Sequence, residues 1–88
     1  MKKTEVNKIK KVINQDKHYT TYYKSETEEL RIMVYSYGDC GRKYDEAKEK
    51  ESIINLLNKL SSNGLRPKYR IDRLTYQGFI HNTYVVLY

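Results

Sequence analysis

One segment of this chain signals both of its ends, and it constrains how everything else can fold. Asp45 stands where a helix N-cap belongs, and residues 46–62 follow without glycine or proline. Asn63-Gly64 then offers a left-handed residue just past the last turn, Leu65 can fold back on it, and Pro67 prevents continuation. Ala47, Ile53, Ile54, Leu57 and Leu60 form the expected apolar face, with Leu56 at its margin, while Glu46 and Lys50 can pair one turn apart.

The flanking segments read as a further helix and two pairs of strands. Thr4 is the expected cap of a first helix running to Gln15, with Val6, Ile9 and Ile13 as its stripe and Val12 widening it. Lys3, Lys8, Lys10 and Lys11 fall on the outer arc. Residues 19–25 and 30–37 read as strands joined by the acidic link Glu26-Thr27-Glu28-Glu29, an expected hairpin. In the second of these, alternation sends Leu30, Ile32 and Val34 one way and Arg31, Met33, Tyr35 and Tyr37 the other. Residues 68–76 and 79–88 read as two further strands. Either Gln77-Gly78 turns between them, or Gly78 is a bulge and the turn lies at His81-Asn82. The run Tyr84-Val85-Val86-Leu87-Tyr88 lacks polar alternation, as a strand covered on both faces would. The expected fold is one α+β domain over residues 1–88, in the order α-β-β-α-β-β. Its four-stranded, mostly antiparallel sheet carries both helices on one face.

Size and cysteine usage narrow the class. Eighty-eight residues fall below the usual ~100–150 of a domain, so a modest core gains from a partner or from self-association. A single cysteine, Cys40, excludes an internal disulfide and fits a reducing compartment, and with only His18 and His81 beside it a tetrahedral metal site is not expected. No stretch approaches the ~20 apolar residues of a membrane helix, and Thr4, Glu5, Asn7 and Lys8 stand where a signal peptide would be apolar. The expected location is the cytoplasm, with no cofactor and no membrane partner.

The net charge of +6 is uneven. The first eighteen residues hold six lysines against Glu5 and Asp16, and Arg66, Lys68, Arg70 and Arg73 oppose only Asp72 near the other end. Clustered cations are a footprint for polyanions, although solubility alone also explains a basic surface. Ten tyrosines against one phenylalanine and no tryptophan form the second skew. AT-rich codon usage accounts for part of it, and tyrosine also suits adaptable contact surfaces.

No convergent catalytic set is visible. The loop at residues 38–43 brings Cys40, Arg42 and Lys43 before a helix N-terminus, where an anion could bind or a thiol pKa could fall, yet it lacks P-loop spacing. His18 and His81 have no recognisable acidic orienter. A binding role is therefore expected, with Arg31, Tyr35, Tyr37, Arg70, Tyr84 and Tyr88 on the open sheet face suited to stacking bases beside a phosphate backbone. Lys8, Lys10, Lys11, Arg42, Lys43, Arg66, Lys68 and Arg73 complete the expected contact set for RNA, DNA or a nucleic-acid-handling protein complex. The aromatic signature of the RNA-recognition fold is absent. A homodimer with a tyrosine-rich interface is the alternative, and a small enzyme or toxin using Cys40 or His81 the third.

In size, composition, and surplus of tyrosine and charge, the whole chain resembles small phage and mobile-element proteins that disable host defences, anti-CRISPR proteins among them. The resemblance implies a non-catalytic regulator or inhibitor. Many such proteins are acidic nucleic-acid mimics, and the basic balance here departs from that pattern. It implies a grip on guide RNA, target DNA or an acidic patch of an effector.

Overall fold

A computed structural model of the chain describes residues 1–15, 19–36 and 44–88. The elements are α1 (Lys3–Ile13), β1 (Thr21–Lys24), β2 (Glu29–Ser36), α2 (Glu46–Ser62), β3 (Tyr69–Tyr76) and β4 (Phe79–Leu87). The strands form one antiparallel sheet in the order β1-β2-β4-β3, so the second strand of each hairpin lies inside and the first lies at an edge. The expected α-β-β-α-β-β domain is what the chain forms.

Helix α2 starts and stops where its punctuation says. Asp45 accepts a hydrogen bond from the Lys48 amide at 3.1 Å. At the other end Gly64 has φ of 75°, its amide reaches Ser61, and the Leu65 amide reaches the Leu60 carbonyl at 2.9 Å. This is the Schellman pattern of paired bonds. Helix α1 departs from its expected cap, for Lys2 occupies that position without a side-chain bond and Thr4 lies inside the helix. Asn14 closes α1, its Oδ1 accepting from the Tyr19 amide at 2.8 Å.

The core lies between both helices and one sheet face. Val6, Ile9 and Ile13 of α1 and Leu56 and Leu60 of α2 pack with Leu30, Ile32, Val34, Val85 and Leu87. The α2 stripe is rotated from the expected one. Leu56 is fully buried, Ile54 is 45% exposed and Ala47 is exposed. Apolar residues at 53, 54, 56 and 57 span a wide arc, and the helix settles on the edge that continues through Glu49.

Turn chemistry fixes the register of each hairpin. Gln77 and Gly78 have φ of 52° and 81°, a two-residue type I′ turn closed by Tyr76 opposite Phe79. The pairing of β3 with β4 shifts between Leu74 and Thr75, so the irregularity falls near His81 and the turn at Gln77-Gly78. On the first hairpin Glu28 supplies the left-handed residue, with φ of 54°. Val85, Val86 and Leu87 are all fully buried, as their unbroken apolar run implied. Val86 points away from the helices, where Arg31 and Arg70 oppose it and Tyr84 and Tyr88 flank it. Long side chains of this kind cover apolar surface with their stems.

Candidate functional site

The sheet face turned away from the helices carries a regular pattern of side chains set by strand register. Directly opposed residues of antiparallel strands project to the same side. The register therefore sets Tyr22, Arg31, Val86 and Arg70 in one row, and Met33, Tyr84 and Asp72 in the next. Leu74, Tyr76 and Phe79 extend the same face to the tip of the second hairpin.

Its arginines are already paired. Arg31 donates to Asp72 at 3.2 Å, and Arg70 donates to the other oxygen of the same carboxylate at 3.2 Å. Arg70 also holds Glu29 through both of its terminal nitrogens. That hydrogen bond keeps the Glu29 carboxyl below its ordinary value. The Arg31 guanidinium lies 5.1 Å above the Tyr84 ring, and that of Arg70 lies 5.9 Å above Tyr88. The two arginines and the two carboxylates thus balance within the face.

Its apolar side chains, by contrast, are open. Among the described residues seven large apolar side chains are exposed, and five of them, Tyr22, Leu74, Tyr76, Phe79 and Tyr88, belong to this face. Phe79 is 65% exposed. A depression of about 390 Å³ lies between Tyr22 and Leu74, lined also by Arg31, Asp72, Arg73 and Tyr84. Its span runs from one edge strand to the other.

Arg73 belongs to the opposite face. It grips Glu49 of α2 with Nε at 2.9 Å and Nη2 at 2.8 Å. Thr83 and Tyr44 donate to the same carboxylate. Burial pushes the Glu49 carboxyl up, but the bonds from Arg73, Thr83 and Tyr44 outweigh it and hold it down to about 2. Burial, then the bond to Glu49, raises the Tyr44 hydroxyl. A buried carboxylate with three donors ties α2 to β3 and β4.

Tyr35 departs most from its expected place. The pairing of β2 with β4 shifts between Met33 and Tyr35, so alternation breaks and both Val34 and Tyr35 turn to the helix side. Tyr35 is 4% exposed, accepts from the Asp45 amide at 2.8 Å, and meets Tyr44 edge-on at 5.5 Å. It cannot stack on a base from there. Tyr84 does lie on the open face, half-buried beneath Arg31.

Of the expected cations, Lys8, Lys11, Arg66 and Lys68 are exposed, and Lys10 is half-buried. Lys8 and Arg66, 58 positions apart in sequence, line one cleft between α1 and the link from α2 to β3. Tyr37, Arg42 and Lys43, with His18 and Cys40, lie outside the described residues. His81 is half-buried and stands edge-on to Tyr76 at 5.4 Å.

Sequence reasoning passed over Tyr22, Leu74, Tyr76 and Phe79 as surface and Glu49 as structure. Alternation along residues 69–76 placed Leu74 and Tyr76 with Arg70, and Glu49 recurs at helical spacing with Ile53, Leu56 and Leu60. No helix among the described residues is long and apolar enough to cross a membrane. No protein-family model matches this chain, and neither does any curated protein or solved structure.

Proposed function

We propose that this chain is a non-catalytic binding protein, a small regulator or inhibitor of the mobile-element kind, that docks on a protein partner through the open face of its sheet. The reading rests on one observation, the gathering of Tyr22, Leu74, Tyr76, Phe79 and Tyr88 on a face whose arginines are internally neutralised. Monomeric proteins rarely expose contiguous apolar surface without use. Aromatic side chains are the residues around which interfaces concentrate their energy. A phosphate backbone would have to displace Asp72 and Glu29 before either arginine could reach it. A near-neutral, apolar protein surface need displace neither.

The partner that fits is therefore a protein with a neutral apolar patch, in the resemblance drawn from composition a component of a nucleic-acid-handling complex. Capture from lysate of the natural host should compare the wild type with the double variant Tyr76→Ala/Phe79→Ser and with Ile54→Ser, whose side chain is exposed on α2. The wild type and Ile54→Ser should retain the same protein, and the double variant should lose it. Equal capture by all three removes the proposal. Sedimentation of the same samples reports the alternative occupant, for a second copy on this face gives a dimer that the double variant dissolves.

A further inference from the structure

The cleft in the helical layer is built differently from the sheet face. It is lined by Glu5, Lys8 and Ile9 of α1 and by residues 64–67, including Leu65, Arg66 and Pro67. Lys11 lies one turn beyond Lys8 on the same helix. Lys8, Lys11 and Arg66 are exposed, and none of them forms a salt bridge with another described residue. The arginines of β3 are engaged by carboxylates, whereas these three cations stay available to a ligand.

Size helps to choose that ligand. The cleft holds about 270 Å³, below the ~300 Å³ at which pockets for free small molecules begin. It is open, has an apolar floor from Ile9, Leu65 and Pro67, and is flanked by a guanidinium and an ammonium. We infer that it is a polyanion track that holds a phosphodiester backbone between Lys8 and Arg66, with Lys11 extending it. The site is separate from the aromatic face, because α1 packs on the opposite side of the sheet. Basic and aromatic features that sequence merges into one surface are two surfaces in the fold, so one molecule can hold a protein and a nucleic acid together.

The test is binding of a 20-mer single strand and a 20-mer duplex across a salt series, with polyglutamate as an acidic polypeptide. Wild-type affinity at physiological salt should be tighter than the ~10⁻⁴ M at the weak end of non-specific binding. Lys8→Gln and Arg66→Gln should each reduce the slope of log K against log salt by about 0.7 on the single strand or about 0.9 on the duplex. Lys24→Gln, on the sheet face, should leave the slope unchanged. Glu5→Gln should tighten binding more than Glu51→Gln, because only Glu5 lines the cleft while both changes raise net charge equally. Polyglutamate bound as tightly as the oligonucleotides overturns the inference, as does an equal effect of Lys24→Gln and Lys8→Gln. Capture through Tyr76 and Phe79 is read separately, so loss of one activity leaves the other reading intact.

Discussion

Arg31 of β2 and Asp72 of β3 are joined at 3.2 Å across the intervening strand β4. The bond explains why an arginine on an open face does not create a cationic face. The same carboxylate receives Arg70, which Glu29 also holds, so two carboxylates neutralise the two arginines. Asp72→Asn should leave the melting temperature nearly unchanged, since pairs this exposed contribute little to stability. It should also steepen the salt dependence of oligonucleotide binding by freeing Arg31 as an added phosphate contact on the sheet face, while Arg70 stays on Glu29. An unchanged slope with a marked loss of stability would mean that the pair serves the fold.

The α2 stripe gives a ranking that sequence alone inverts. Leu56→Ala should cost about 2–5 kcal/mol, enough to unfold a domain of this size, because its side chain is fully buried. Leu57→Ala should cost less, and Ile54→Ser should lie within about 0.5 kcal/mol of wild type. Urea titrations of the three variants check the order. Leu57→Ala as the most damaging change would restore the unrotated stripe.

That ranking shows where sequence was legible. The punctuation around α2 could be read residue by residue, since Asp45, Gly64, Leu65 and Pro67 each act within one turn. The order of elements along the chain and the burial of 85–87 followed from run length and the lack of polar alternation, whereas the order of strands within the sheet did not. The misplacement of Tyr35 has one cause, a shift in β2 pairing that no local residue announces and that reverses every face beyond it. The pairing of Arg31 with Asp72, Arg70 with Glu29 and Arg73 with Glu49 was equally hidden, because each partner lies on a different element.

Glu49 makes stability depend on pH in a defined direction. Its folded carboxyl lies at about 2, against 4.5 for the ordinary value. The lowered value favours the folded state above the unfolded pKa, and that contribution is lost as pH falls from about 4.5 towards about 2. Glu49→Gln should remove this part of the acid dependence while Glu29→Gln leaves it in place. At neutral pH Glu49→Gln should cost about 2–3 kcal/mol, less than the ~3–5 of a fully buried pair, since Arg73 remains 42% exposed. Unfolding followed from pH 7 to pH 2 in both variants checks the sign. A Glu49→Gln protein with an unaltered acid limb would contradict the assignment.

The second hairpin carries a residue out of keeping with its backbone. Gln77 has φ of 52°, which costs a side chain of its kind about 1–2 kcal/mol in the left-handed region. Gln77→Asn should raise stability by about 0.5–1 kcal/mol, as asparagine suits a type I′ turn. Gly78→Ala, at φ of 81°, should lower it. A melting curve of each variant is sufficient, and a destabilised Gln77→Asn protein would place the turn elsewhere.

The separation of the two surfaces is the account's central claim, and chemical footprinting tests it most directly. The wild-type protein, saturated with a single-stranded oligonucleotide, is treated with a lysine acetylating reagent and, separately, with a tyrosine iodinating reagent. Mass spectrometry then reads each site. Acetylation of Lys8 should fall, and Tyr22, Tyr76 and Tyr88, exposed on the far side of the sheet, should react as in the free protein. Protection of those tyrosines with Lys8 unaltered would contradict the account, for nucleic acid would then lie on the aromatic face after all.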